Sequence, residues 1–202
     1  MRAIVAAILY NLRNLMRFAG RDTRAQFWPY AIFLFVLQSI VSLALTLPII
    51  AKVMIKAFQF GVQHATTSGG QLSAADQKAF AQINNGIYSD MGSMMTVTTP
   101  IFTALFVVLL AAAVARRLHD RGMSGYWGLM PLPFTVFSIL TMPALFAAFE
   151  THTVSGGWFA GLLINNLLYF AALILLIVLL ARQGVAGANR FGPVVADWLY
   201  SP

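Results

Sequence analysis

Three arginine-bearing clusters hold the side chains of this chain best suited to chemistry: Arg21-Asp22-Thr23-Arg24, Arg116-Arg117-Leu118-His119-Asp120-Arg121, and Asn189-Arg190-Phe191-Gly192-Pro193. Arginine presents a planar, permanently charged fork that matches carboxylates and phosphates, so ion-pair networks and anionic headgroups are the chemistry to expect. Catalysis has little support. His119, Asp120 and Ser124 fall within one short turn, whereas triad partners normally converge from separate segments. A metal at His119 and Asp120 would need a further ligand on the same side, and His64 and His152 lie in segments expected to face the other way. No GxSxG, HExxH or phosphate-loop motif occurs. No catalytic residue, metal site or cofactor is therefore assigned, and a basic charge interleaved with apolar runs gives no nucleic-acid signal.

What must position these clusters follows from composition. The 202 residues are 59% apolar and only 9% charged, with a formal charge of +7 and no cysteine. Soluble domains average about 25% charged residues. Four stretches, 27–51, 97–115, 126–149 and 158–181, contain no Asp, Glu, Lys, Arg or His, and each is long enough for a tilted transmembrane helix. Aromatic residues open the first, third and fourth, as membrane interfaces favour. The expected fold is an all-α integral membrane four-helix bundle with an N-terminal interfacial amphipathic helix. It forms one membrane domain over 1–202, with 1–26 as the interfacial helix and turn, 52–96 as an outer loop and 182–202 as a tail.

Basic residues set the expected orientation, because Lys and Arg are retained on the cytoplasmic side. Arg2, Arg13, Arg17, Arg21 and Arg24 precede the first stretch, Arg116, Arg117 and Arg121 follow the second, and Arg182 and Arg190 follow the fourth. The opposite side has only Lys52, Lys56 and Lys78. Both termini are thus expected in the cytoplasm. On that face only Asp22, Asp120 and Asp197 oppose the arginines, so the count of side-chain charges leaves cations in search of another partner, and membrane lipids with anionic headgroups suit them.

Ile4, Val5, Ile8, Leu9, Leu12, Leu15 and Met16 recur at helical spacing with Arg13, Asn14 and Arg17 on another face, which predicts a helix lying in the interface. In 52–96, Ser73 and Asp76 could cap a helix carrying Leu72, Ala75, Ala79, Phe80, Ile83 and Ile87 on one side. Thr23 and Gln26 have capping-box spacing, Ser124 is placed to cap the third span, and 187–193 reads as a tight turn. Inside the spans, Gln38, Thr103, Ser138, Asn165 and Asn166 are polar without being ionisable. Hydrogen bonding between helices is their expected use, and the lack of a mid-membrane charge argues against ion-coupled transport.

The clusters together resemble a bacterial inner-membrane family, domain of unknown function 805. The resemblance is carried by Phe18-x-Gly20-Arg21-x-x-Arg24-x-x-Phe27-Trp28, by Arg116-Arg117-Leu118-His119-Asp120 with Ser124-x-x-Trp127, and by Asn189-Arg190-Phe191-Gly192-Pro193. The chain departs from that pattern at Gln26, where an acid is expected, at Tyr126, where Trp is common, and at Val194-Val195, in place of Asp-Pro. It also has two spans between the second and third motifs where compact relatives have about one. The resemblance implies a small helical membrane protein in the bacterial plasma membrane and no particular activity.

The functional expectation is a non-catalytic scaffold or regulator. Arg21, Arg24, Arg116, Arg117, His119, Asp120 and Arg190 would form a cytoplasmic network or headgroup site, with Gly20, Asp22, Trp28, Ser124, Trp127, Asn189, Gly192 and Pro193 shaping the helix ends. A membrane-protein partner or a homo-oligomer is compatible with it. The alternative is a component of a channel, transporter or scramblase for a small neutral solute or lipid, built on the proline-bearing third span (Pro131, Pro133, Pro143) and the Asn165-Asn166 pair.

Overall fold

The computed structural model describes residues 2–65, 74–151 and 153–194. Among them the chain is helical: α1 Arg2–Arg13, α2 Arg24–Ala65, α3 Ala74–Ser93, a π-helical turn Met94–Thr98, α4 Thr99–Asp120, a 3-10 turn Gly125–Leu129, α5 Leu132–Glu150 and α6 Gly156–Ala181. Four helical segments are long and apolar enough to cross a membrane: Arg24–Val62, Ala74–Asp120, Gly125–Phe149 and Gly156–Ala181. Ser73, Leu72, His152 and Asp197 lie outside the described residues.

Helices run well past the charge-free stretches that mark the spans. α2 carries on through Lys52 and Lys56, and α3 leads through the π turn into α4, so helix occupies most of 52–96. The reason is elementary. Lys is a good helix former, so it ends an apolar run without ending the helix that contains it. The π turn at Met94–Thr98 falls where the apolar run begins.

The chain divides into two compact units. The first comprises Met1–Gln38, Ile101–Ser138 and Ala160–Pro202. Its core joins Phe27, Tyr30 and Leu34 of α2 to Ala113, Val114 and Leu118 of α4 and to Leu176 and Leu180 of α6, with Ile8 and Leu15 packed against it. The small side chains Ala112 and Ala113 are buried where α4 enters this core, and the Tyr30 hydroxyl donates to the Leu109 carbonyl at 2.8 Å. Asn165 of α6 donates to Ser138 Oγ at 2.8 Å and to the Phe134 carbonyl at 3.2 Å, the interhelical role expected for a polar group in a span.

The second unit comprises Ser39–Pro100 and Ile139–Phe159. Aromatic contacts hold it: Phe60 meets Phe80 at 5.4 Å, and Tyr88 stacks on Phe149 at 5.5 Å. Its charged pair, Lys52 and Asp90, is 3.7 Å apart and exposed. Along α3, Ala79, Ile83 and Ile87 are half-buried while Phe80 remains exposed.

Candidate functional site

All three arginine clusters fall in the first unit, at the ends of its helices. The entry to α2 is built by a reciprocal capping box: Thr23 N–H donates to Gln26 Oε1 at 2.9 Å, and Gln26 N–H to Thr23 Oγ1 at 3.4 Å. Gln26 therefore serves as Glu would. α4 ends in a Schellman motif, with Gly122 N–H on the His119 carbonyl (2.9 Å), Met123 N–H on the Leu118 carbonyl (3.0 Å) and Gly122 at φ +71°. Asn189 closes the third cluster. Its backbone pairs with Gly192 in both directions, its Oδ1 accepts from Phe191 N–H at 2.9 Å, and its Nδ2 donates to the His119 carbonyl at 2.9 Å. Gly192, at φ +135°, suits this turn because a side chain there would be strained.

These ends deliver Arg21, Arg116 and Arg117 into a buried network with Asp22 and Asp120. Arg21 Nε and Nη2 both donate to Asp120 Oδ1, at 3.0 and 2.9 Å, and Arg117 Nη1 donates to Asp120 Oδ2. Arg116 Nε donates to Asp22 Oδ2 at 2.8 Å, and the Tyr10 hydroxyl to Asp22 Oδ1 at 3.2 Å. Burial is the largest influence on Asp22 and raises its pKa above the ordinary carboxylate value, against the pull of the Arg116 charge and the bonds from Arg116 and Tyr10. Burial, followed by the charge of Asp22, likewise raises the Tyr10 hydroxyl.

Three guanidiniums thus meet two carboxylates, and backbone carbonyls with Asn11 Oδ1 supply the remaining acceptors. Arg117 donates to Leu180 O at 2.9 Å and to Arg182 O, at the C-terminal end of α6. Arg116 reaches Asn14 O at 2.9 Å and Arg17 O, in the turn after α1, and Asn11 Oδ1 at 2.7 Å. Arg21 takes Val185 O at 2.7 Å and Gly187 O at 2.9 Å. Carbonyls at helix C-termini lack intrahelical donors and carry partial negative charge, so a cation there is doubly favoured. Among the described residues no buried side-chain nitrogen or oxygen lacks a partner. Counting side-chain charges alone overlooks these acceptors: for the three buried arginines the protein itself supplies the partner.

The other expected residues fall around this network. Arg24 and Arg190 are exposed, and among the described residues neither pairs with a carboxylate. The Arg190 guanidinium lies 4.7 Å from the centroid of the Phe191 ring, which also stacks on His119 at 3.9 Å. His119 Nδ1 is 3.2 Å from the Gly20 carbonyl, and Ser124 Oγ accepts from Tyr126 N–H at 3.4 Å. His119, Asp120 and Ser124 therefore each have a different partner. Trp28 packs edge-on to Phe27, whereas Trp127 and Pro193 are exposed. Asn165 and Asn166 do not share a face: the first is buried against α5, the second is exposed.

Three contributors escape a reading of the sequence. Asn11, 1% exposed, donates to the Ala7 and Gln26 carbonyls at 3.0 and 2.9 Å while accepting from Arg116. Its only signal is a poor helix former set inside a helical pattern. Tyr10, whose hydroxyl donates to Asp22, belongs to no motif. Gly184 belongs to no motif, yet a Cβ there would collide with the Asp120 carboxylate.

With this geometry in view, comparison with known families is decisive for membership. The family model described as "Protein of unknown function (DUF805)" matches residues 15–193. The chain belongs to the DUF805 family. Neither a curated protein nor a solved structure matches it. Every residue of the buried network except Tyr10, Asn11 and Asn14 lies within the matched span.

Proposed function

We propose that this protein is a non-catalytic scaffold or regulator of the bacterial inner membrane, crossing it four times with both termini in the cytoplasm. Its arginines divide the work. Arg21, Arg116 and Arg117 lock the helix ends together, while Arg2, Arg13, Arg17, Arg24, Arg182 and Arg190 hold anionic lipid headgroups. The observation that carries this reading is the contrast in satisfaction. The buried three use carboxylates, backbone carbonyls and Asn11 Oδ1, whereas the outer six are exposed and have no carboxylate partner among the described residues. Each arginine held near an anionic surface contributes about 1 kcal/mol.

α1 extends the same surface. Ala7 and Asn11 face the protein, while Ile4, Val5, Leu9, Leu12 and Met16 are exposed apolar side chains beside exposed Arg2, Arg13 and Arg17. That pattern suits a helix seated at the headgroup boundary. Native mass spectrometry of protein extracted with mixed anionic and zwitterionic lipid tests the reading. The Arg24→Gln/Arg190→Gln variant should retain fewer anionic lipids than wild type, with an unchanged melting temperature in zwitterionic lipid; equal retention overturns headgroup binding.

A further inference from the structure

Asn166 differs from its neighbour Asn165, whose amide is spent on α5. Exposed hydroxyls such as Thr46 and Thr96 back-bond to the carbonyl four residues earlier, at 2.8 Å each. A hydroxyl has one hydrogen to place, so that bond uses its donor. An amide has two N–H donors and an acceptor oxygen. Asn166 Nδ2 back-bonds to Leu162 O at 2.9 Å, its only side-chain hydrogen bond among the described residues, and the residue is exposed, which leaves a second N–H and Oδ1 without a partner there. In hydrocarbon such groups need a partner.

The surroundings specify one. Leu163, Asn166, Phe170, Leu173 and Ile177 follow one another at spacings of three and four residues, the a/d repeat by which helices pack at a shallow left-handed crossing. Leu163, Phe170 and Ile177 are exposed at 62%, 54% and 45%, and Leu173 is half-buried. All belong to the first unit. An amide at the centre of such a seam is complementary to an identical amide, donor to acceptor in both directions, and a two-fold axis brings one residue opposite its own copy.

We propose that α6 is a self-association surface: a second copy of this chain packs on the Leu163–Ile177 seam, with the two Asn166 side chains hydrogen-bonded across a two-fold axis. The inference goes beyond headgroup binding and rests only on α6 crossing the bilayer. It also explains the adjacent asparagines, since Asn165 joins α6 to its own α5 and Asn166 joins it to the partner.

The chain has no cysteine, so single introduced thiols report contacts unambiguously. In liposomes of neutral lipid, oxidation should link Leu163→Cys and Phe170→Cys proteins into dimers and leave the Leu168→Cys protein, exposed off the seam, monomeric. Asn166→Leu should raise the dimer dissociation constant about threefold to twentyfold, Asn166→Gln should restore most of it, and neither should change melting in dilute detergent. Monomers at every protein-to-lipid ratio, equal linking at all three positions, or a dissociation constant unchanged by Asn166→Leu would overturn the proposal. Loss of headgroup retention, by contrast, would leave the cross-linking pattern intact.

Discussion

The two units of the chain each contain an acid–base pairing, and the pairings are unlike. In the first, Arg116 and Asp22 meet at 2.8 Å with side chains 1% and 0% exposed; in the second, Lys52 and Asp90 are 3.7 Å apart with side chains 64% and 48% exposed. The first pair is enclosed by further donors and acceptors. The second is solvated, and such pairs contribute about 0–1 kcal/mol. Burial alone does not make the arginine network stabilising, because desolvating an ion pair can cost as much as the attraction returns. Completeness matters: once buried, each member depends on all its partners being present.

Substitutions probe the difference between the two pairs. The largest effect is expected for Arg116→Met, which removes the guanidinium and leaves Asp22 at 0% exposure without its cation. Removing one partner of a buried pair costs about 3–5 kcal/mol, measurable as a fall in the unfolding midpoint in nanodiscs. Gly184→Ala comes next. Its Cβ would displace the Asp120 carboxylate from Arg21 and Arg117, and overpacking of this kind costs about 1–3 kcal/mol. A wild-type midpoint for Gly184→Ala would mean that the network tolerates a shifted carboxylate. The smallest effect belongs to Lys52→Ala, expected below about 1 kcal/mol; a loss as large as that of Arg116→Met would show that exposure is not what separates the two regions.

Much of this architecture is legible in the sequence, and the legible part has a common cause. Charge-free runs mark spans because charges are costly in hydrocarbon, and Thr23 with Gln26, Ser124, and Asn189 with Gly192 announce helix ends and turns because their bonds are local. What is not legible is non-local or carried by the backbone. The carbonyls of Leu180, Val185 and Gly187 have no side-chain signature, so these partners of Arg117 and Arg21 are invisible to residue counting. Gly184 is selected by the approach of Asp120 from another segment. Asn165 and Asn166 read as one polar pair, yet successive helical residues point about 100° apart, which sends one inward and the other outward. The far ends of α2 and α3 escape for a simpler reason: hydropathy locates the bilayer rather than the helix terminus.

The division of the arginines into locking and lipid-facing sets is the central claim. Unfolding midpoints of wild type, Arg117→Lys and the Arg24→Gln/Arg190→Gln variant, each in anionic and in zwitterionic nanodiscs, put it to the test. Lysine cannot reproduce the Arg117 fork that joins Leu180, Arg182 and Asp120, so that variant should lose the same stability in both lipids. The Arg24/Arg190 variant should match wild type in zwitterionic lipid and lose only the increment that anionic lipid provides. A lipid-dependent loss for Arg117→Lys, or a lipid-independent one for the Arg24/Arg190 variant, would contradict the account.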